Sequence, residues 1–220
     1  MRKILFLCLV FPLGLSAQTG THMEMKVTMS KGMGGTLHYY SDKSGKRLEF
    51  RIGPTIKEQT RHIITMVRAD NPDTIFWMHE PSNCYSADAR AKAIVPDKVK
   101  YKAEVFPDTI IAGYKCKHIG LTGVKSAYEF WTSTSLNAEE YLNIVSMDRR
   151  WGTPERFQAA VDAGATGFPV RWLQRSPNEG EIIVDLVKVE KKKIEKNLFS
   201  VPANYSLMVA PVKAPSPVKK

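Results

Sequence analysis

HMEMKVTMS, residues 22–30, decides the fold class. In an extended chain Met23, Met25, Val27 and Met29 fall on one side, and Glu24, Lys26, Thr28 and Ser30 on the other. A period of two belongs to a strand with one buried and one solvated face, whereas a helix would scatter these residues around its axis. The pattern returns where Leu48, Phe50 and Ile52 alternate with Arg47, Glu49 and Arg51. Two such strands, separated by the polar turn 41–45, read as consecutive members of an antiparallel sheet with one apolar face.

More strands are predicted at 37–40, 63–67, 75–79, 83–87, 99–106, 115–121 and 127–132, separated by turn signals such as Asn71-Pro72-Asp73 and Glu80-Pro81-Ser82-Asn83. Two helices interrupt them. Asn137 followed by Glu140 has the form of a capping box ahead of Tyr141, Leu142, Ile144 and Val145. Thr153 and Pro154 open a second helix whose Phe157, Ala160 and Val161 are placed on one face, and Gly164 ends it. A hairpin at 168–174 and 181–189 follows, with Ile182, Ile183 and Val184 apolar on both sides and therefore expected against the helices. The fold class is α+β and predominantly antiparallel β: a curved sheet or half-open β-barrel wrapped around short helices.

Arg2 and Lys3 precede an apolar run at 4–12, and Gly14, Leu15, Ser16 and Ala17 follow. This is the pattern of a secretory signal peptide, expected to be removed after Ala17, so the protein is read as periplasmic or secreted. A single β-rich domain is expected over 18–205, with a flexible Pro- and Lys-rich tail at 206–220. Outside the leader the cysteines are Cys84 and Cys116. An oxidising compartment permits a bridge between them, but their spacing does not require one.

The formal net charge is +10, or +8 without Arg2 and Lys3. Local lysine runs at 188–196 and 213–220 account for part of it, as solvated surface or as a face for anionic envelope components. No nucleic-acid-binding motif is present. The five histidines form no HxxxH or HExxH pair, and no GxSxG, phosphate loop or GxGxxG string occurs. No cofactor or metal is implied, and an enzyme is the least favoured class.

Three binding or structural readings remain. An apolar concavity lined by Met23, Met25, Met29, Leu48, Phe50, Phe76 and Phe130 would hold a lipid or an acylated protein, since these residues are assigned the inward phase of their strands. A structural or interaction module of the envelope would need no small ligand. His22 with Met23, Met25, Met29 and Met33 is a soft donor set of the kind that suits Cu(I). The oligomeric state leaves no mark in the sequence.

Four motifs then occur in order: Asp108-Thr109-Ile110-Ile111-Ala112-Gly113-Tyr114-Lys115-Cys116-Lys117, Tyr128-Glu129-Phe130-Trp131-Thr132, Gly167-Phe168-Pro169-Val170, and Asn197-Leu198-Phe199-Ser200-Val201-Pro202-Ala203-Asn204-Tyr205. Together they resemble the exported domain-of-unknown-function family 4412, over roughly residues 23–205. The resemblance implies a curved antiparallel sheet wrapping helices, like the periplasmic lipoprotein carrier and receptor (LolA/LolB-like) fold. Such a fold offers a concave apolar surface to an acyl chain or lipoprotein, and the family supplies no catalytic residues to carry over. The polar stretch between Tyr85 and Lys98 departs from the pattern and is expected to form an extra loop.

Overall fold

The computed structural model describes residues 19–53, 61–90, 100–177 and 180–208, except the side chains of Lys31 and Pro81. The expected leader lies outside these residues, as do most of the expected extra loop and all of the tail beyond 208.

Alternating apolar residues produce two meanders. The first is β1 (Thr19–Met29), β2 (Gly34–Asp42), β3 (Gly45–Gly53), β4 (Arg61–Arg68), β5 (Asn71–His79) and β6 (Cys84–Ala89). The second is β7 (Lys102–Ile111), β8 (Tyr114–Thr122), β9 (Ala127–Ser133), β10 (Phe168–Ser176) and β11 (Gly180–Lys193). Antiparallel pairing of β1 with β11 joins them into one sheet, and β12 (Ser206–Leu207) pairs in parallel with β6 at the far edge. The sheet is α+β in its setting, predominantly antiparallel, and not closed into a barrel. Register shifts at Glu24/Met25, Met66/Arg68, Phe106/Thr109 and Pro169/Arg171 break the ladders. Such irregularities bend and twist a strand, which lets a sheet of this width curl.

The chain between β9 and β10 fills the hollow with α1 (Ala138–Met147) and α2 (Pro154–Asp162). Asn137 caps α1 by accepting from the Glu139 amide at 3.0 Å. The expected reciprocal bond of a capping box is replaced by another contact: Glu140 Oε2 accepts from the buried hydroxyl of Tyr39 at 2.7 Å, tying α1 to β2. Thr153 caps α2, Pro154 opens it, and Gly164 follows its end with φ +106°. Val161, placed inward by the sequence pattern, is 37% exposed. The inward face of this short helix is carried by Phe157 and Ala160.

Tyr141 is the centre of the helix-to-sheet core. It is fully buried among Phe130, Phe157, Phe168 and Trp172, its ring centroid 4.7–6.2 Å from theirs in edge-on arrangements. Edge-to-face contacts of this kind set the quadrupoles of neighbouring rings favourably and add to the burial of their apolar area.

The outer face has its own small core. Ile64, Met66, Phe76 and Met78 are covered by Ile194 and Phe199 of the C-terminal segment, with Tyr85, Leu198, Val201 and Tyr205 at the border. Arg47 Nη1 donates to the Leu198 carbonyl at 2.9 Å, and the segment ends as β12. The expected tail therefore begins later than residue 206, because Ser206 and Leu207 are held by the edge of β6.

Beneath this cover Glu49 takes Arg47 Nε at 2.6 Å and faces His62 Nε2 at 3.4 Å, while His62 Nδ1 lies 2.5 Å from Glu80. Burial opposes the charge on Glu49, yet His62 and Arg47 outweigh it and hold the carboxyl down to about 2. Burial lowers the affinity of His62 for a proton, and the two carboxylates raise it above its ordinary value of 6.5. Stabilisation from the raised His62 is fully present below pH 6.5 and is lost as the pH rises through the folded-state value. Stabilisation from Glu49 is present above its ordinary 4.5 and is lost as the pH falls toward about 2. His62→Gln is thus expected to lower Tm most between these limits and less at alkaline pH, as thermal melts at a series of pH values would measure. A deficit that grows with rising pH would contradict this.

Cys84 and Cys116 are both free. They stand on β6 and β8, each next to an opposite edge of the sheet, so the bridge left open by the sequence is not formed. Cys84 Sγ contacts Ser82 Oγ at 2.9 Å, and Cys116, buried, points its thiol toward the Tyr114 carbonyl at 3.4 Å.

Candidate functional site

Four of the seven expected lining residues belong to the closed core. Met23, Met25, Leu48 and Phe130 share the inner face, but each is 2% exposed or less and packed in one cluster with Tyr141, Ile144, Val145 and Phe157. The helices occupy the part of the hollow that these residues line.

Phe76 must be corrected outright. Pairing with Met66 puts it on the outer face, where it belongs to the small core with Ile64, Met78 and Phe199 and contacts Tyr85. Its neighbours Ile75 and Trp77 pack against the inner core instead. The segment Ile75-Phe76-Trp77-Met78 is apolar at every position, so its phase cannot be read from alternation alone.

Met29 and Phe50 do meet in an opening. Together with Ile52, Ile63, Trp151 and Ile182 they line a cavity of about 260 Å³, with Arg61 and Arg150 beside it. Met29 and Ile182 come from the paired ends of β1 and β11, Phe50, Ile52 and Ile63 from β3 and β4, and Trp151 from the 3₁₀ turn between the helices. The indole of Trp151 packs edge-on against Phe50, with ring centroids 4.5 Å apart. Trp151 and Phe50 are 2% and 4% exposed and form the inner wall. Arg61 is exposed, and the side chain of Arg150 is 46% exposed, so the guanidinium groups form the rim.

The polar groups of this opening are unevenly satisfied. Arg150 Nε and Nη2 are taken by Asp148. No ion pair engages Arg61 among the described residues. Trp151 Nε1 is buried without a hydrogen-bond partner among the described residues. A buried donor left unpaired costs on the order of 1–3 kcal/mol.

Ile52 carries the phase of Leu48 and Phe50, so the sequence pattern was sufficient to include it. Ile182 was legible as apolar and near the helices. Trp151, Arg61 and Arg150 gave no signal, because a turn has no periodicity and exposed arginines are ordinary.

A second crevice of about 550 Å³ lies at another end of the sheet, lined by Lys125, Ser126, Tyr128, Arg156, Gln174, Ser176 and Pro177. The Arg156 guanidinium stacks 4.6 Å from the Tyr128 ring centroid. Its polar walls do not suit an acyl chain.

The soft donor set is divided by the strand that carries it. His22 points outward, where Nε2 lies 3.2 Å from His38 Nδ1 and Nδ1 lies 2.9 Å from Glu190, and Met23 and Met25 point into the core. Successive side chains on a strand face opposite ways, so β1 separates imidazole from thioethers. Among the described residues no group of three or more His, Cys, Asp or Glu side chains is placed to hold a metal ion. No helix among them is long and apolar enough to cross a membrane.

Similar architectures occur in solved structures of remote sequence. An uncharacterised conserved protein from Thermus thermophilus superposes with a TM-score of 0.52 at 8% identity, covering 87% of this chain and 90% of that one. PNGF-II gives 0.46 at 11% identity, over 87% of this chain and 31% of that one. The LolA superfamily protein NE2245 from Nitrosomonas europaea gives 0.31 at 7% identity, over 84% and 91%. No curated protein matches the sequence. The family model described as "Domain of unknown function (DUF4412)" matches residues 19–205, and the chain belongs to that family.

Proposed function

We propose that this protein is an exported binding protein of the cell envelope, not an enzyme, and that it takes the acyl chain of a lipid or acylated protein into the opening walled on its inner side by Phe50 and Trp151. The observation that carries the reading is the cavity itself, whose six apolar residues Met29, Phe50, Ile52, Ile63, Trp151 and Ile182 surround an opening at the inner sheet face. Ligand sites are concave and mostly apolar, with a few polar groups that fix orientation, and this opening has that composition. Burying a chain there gains roughly 0.8 kcal/mol for each methylene removed from water. Localisation outside the cytoplasm rests on the leader-like residues 1–17.

A fluorescent fatty-acid analogue is expected to bind the purified protein saturably. Ile182→Trp fills the opening from a half-buried position and leaves the Tyr141 core untouched. It should weaken binding at least about tenfold, or about 1.4 kcal/mol, with Tm nearly unchanged. Equal binding by the variant would move the site elsewhere, and failure of acyl probes of every length would favour a structural module of the envelope.

A further inference from the structure

The cavity specifies its occupant more narrowly than an apolar wall alone. Resting on the reading above, we propose that it holds one chain of an anionic single-chain amphiphile, whose negatively charged head is received by Arg61 and Arg150. Two observations converge on this. The volume of about 260 Å³ lies below the ~300–1,000 Å³ of sites that enclose drug-sized ligands, so it suits one chain and not the several chains of a multiply acylated lipid. Among the described residues, both charged residues lining the cavity are arginines.

The two arginines act differently. Asp148, whose side chain is 4% exposed, takes Arg150 Nε and Nη2 and neutralises much of its charge, leaving Nη1 as a directed donor. Arg61 has no such partner among the described residues and supplies the net positive field at the rim. Guanidinium groups bind carboxylate and phosphate oxygens through paired N–H donors, so the shared chemistry is an oxyanion on an alkyl chain.

Four probes of one chain length separate head recognition from chain burial: dodecanoate, dodecyl phosphate, dodecanol and dodecyltrimethylammonium, each titrated calorimetrically below its micelle concentration. At least one anion is expected to bind about tenfold or more tighter than the alcohol, with the cation weakest. Preference between the two anions identifies carboxylate or phosphate as the head. Arg61→Gln removes an exposed side chain and should erase most of that preference while leaving dodecanol binding unchanged. Equal affinity for anion, alcohol and cation, or an anion preference that survives Arg61→Gln, would overturn the head-group proposal and leave the acyl site standing. No binding by any of the four would refute the acyl site itself.

Discussion

Gly167→Val is expected to prevent folding, or to cost more than about 4 kcal/mol where folded protein can be recovered. Gly167 has φ +84°, a conformation in which a β-branched side chain is strained. A Cβ there would also lie 2.0 Å from the Ser133 carbonyl oxygen, 2.4 Å from its carbon and 2.7 Å from Thr134 Cα. All three are backbone atoms at the end of β9, and the next residue, Phe168, donates its amide to Leu136 at 3.2 Å. Relief therefore requires parting the chain that leads into α1 from the chain that leads into β10. Gly113→Ala is the comparison: its φ is +82°, but nothing lies within 4 Å of the added Cβ. Only the left-handed backbone penalty, about 1–2 kcal/mol, should be lost there. Denaturant melts of the two variants separate steric closure from conformational strain, and similar losses for both would contradict the close approach at Gly167.

Tyr141→Ala should remove about 3–5 kcal/mol, the range found when large buried aromatics are cut back to alanine. The ring is fully buried and edges against four other aromatics, so its removal opens a void with walls from α1, α2, β9 and β10 that cannot all close in. In a domain of this size about 2–4 °C of Tm accompany each kcal/mol, giving a fall of roughly 10 °C. Tyr141→Phe should lose far less, since the hydroxyl makes one long 3.4 Å contact with the Trp151 carbonyl. An alanine variant as stable as the phenylalanine variant would show that the helices do not depend on this ring.

Most of the strand order was legible because the code for a half-buried strand is local. Met23, Met25 and Val27 alternate with charged residues, and the hydrophobic effect turns that alternation into a face. Helix ends were legible for the same reason, through Asn137, Thr153 and Pro154. Pairing β1 with β11 was not, since no short-range pattern states which distant strands meet. Nor could alternation resolve Phe76, where four successive apolar residues serve two cores.

The candidate site was half visible. Met29 and Phe50 were chosen for their inward phase, which is correct for both, but phase alone does not tell an open wall from one covered by a helix. Met23, Met25, Leu48 and Phe130 have the same phase and lie under the helices. Trp151 and Arg150 become part of the site only through the reach of the turn that carries them, and Arg61 only through the pairing that sets it opposite Ile52. Those are properties of packing across elements, which no window of sequence holds.

Native mass spectrometry of the protein purified from its own envelope, in detergent-free buffer, tests the acyl-binding claim most directly. The account predicts a fraction of molecules carrying one added mass that fragmentation identifies as a single-chain acidic lipid, absent from Ile182→Trp. Protein that emerges bare, and stays bare after incubation with acyl chains of several lengths, would contradict it.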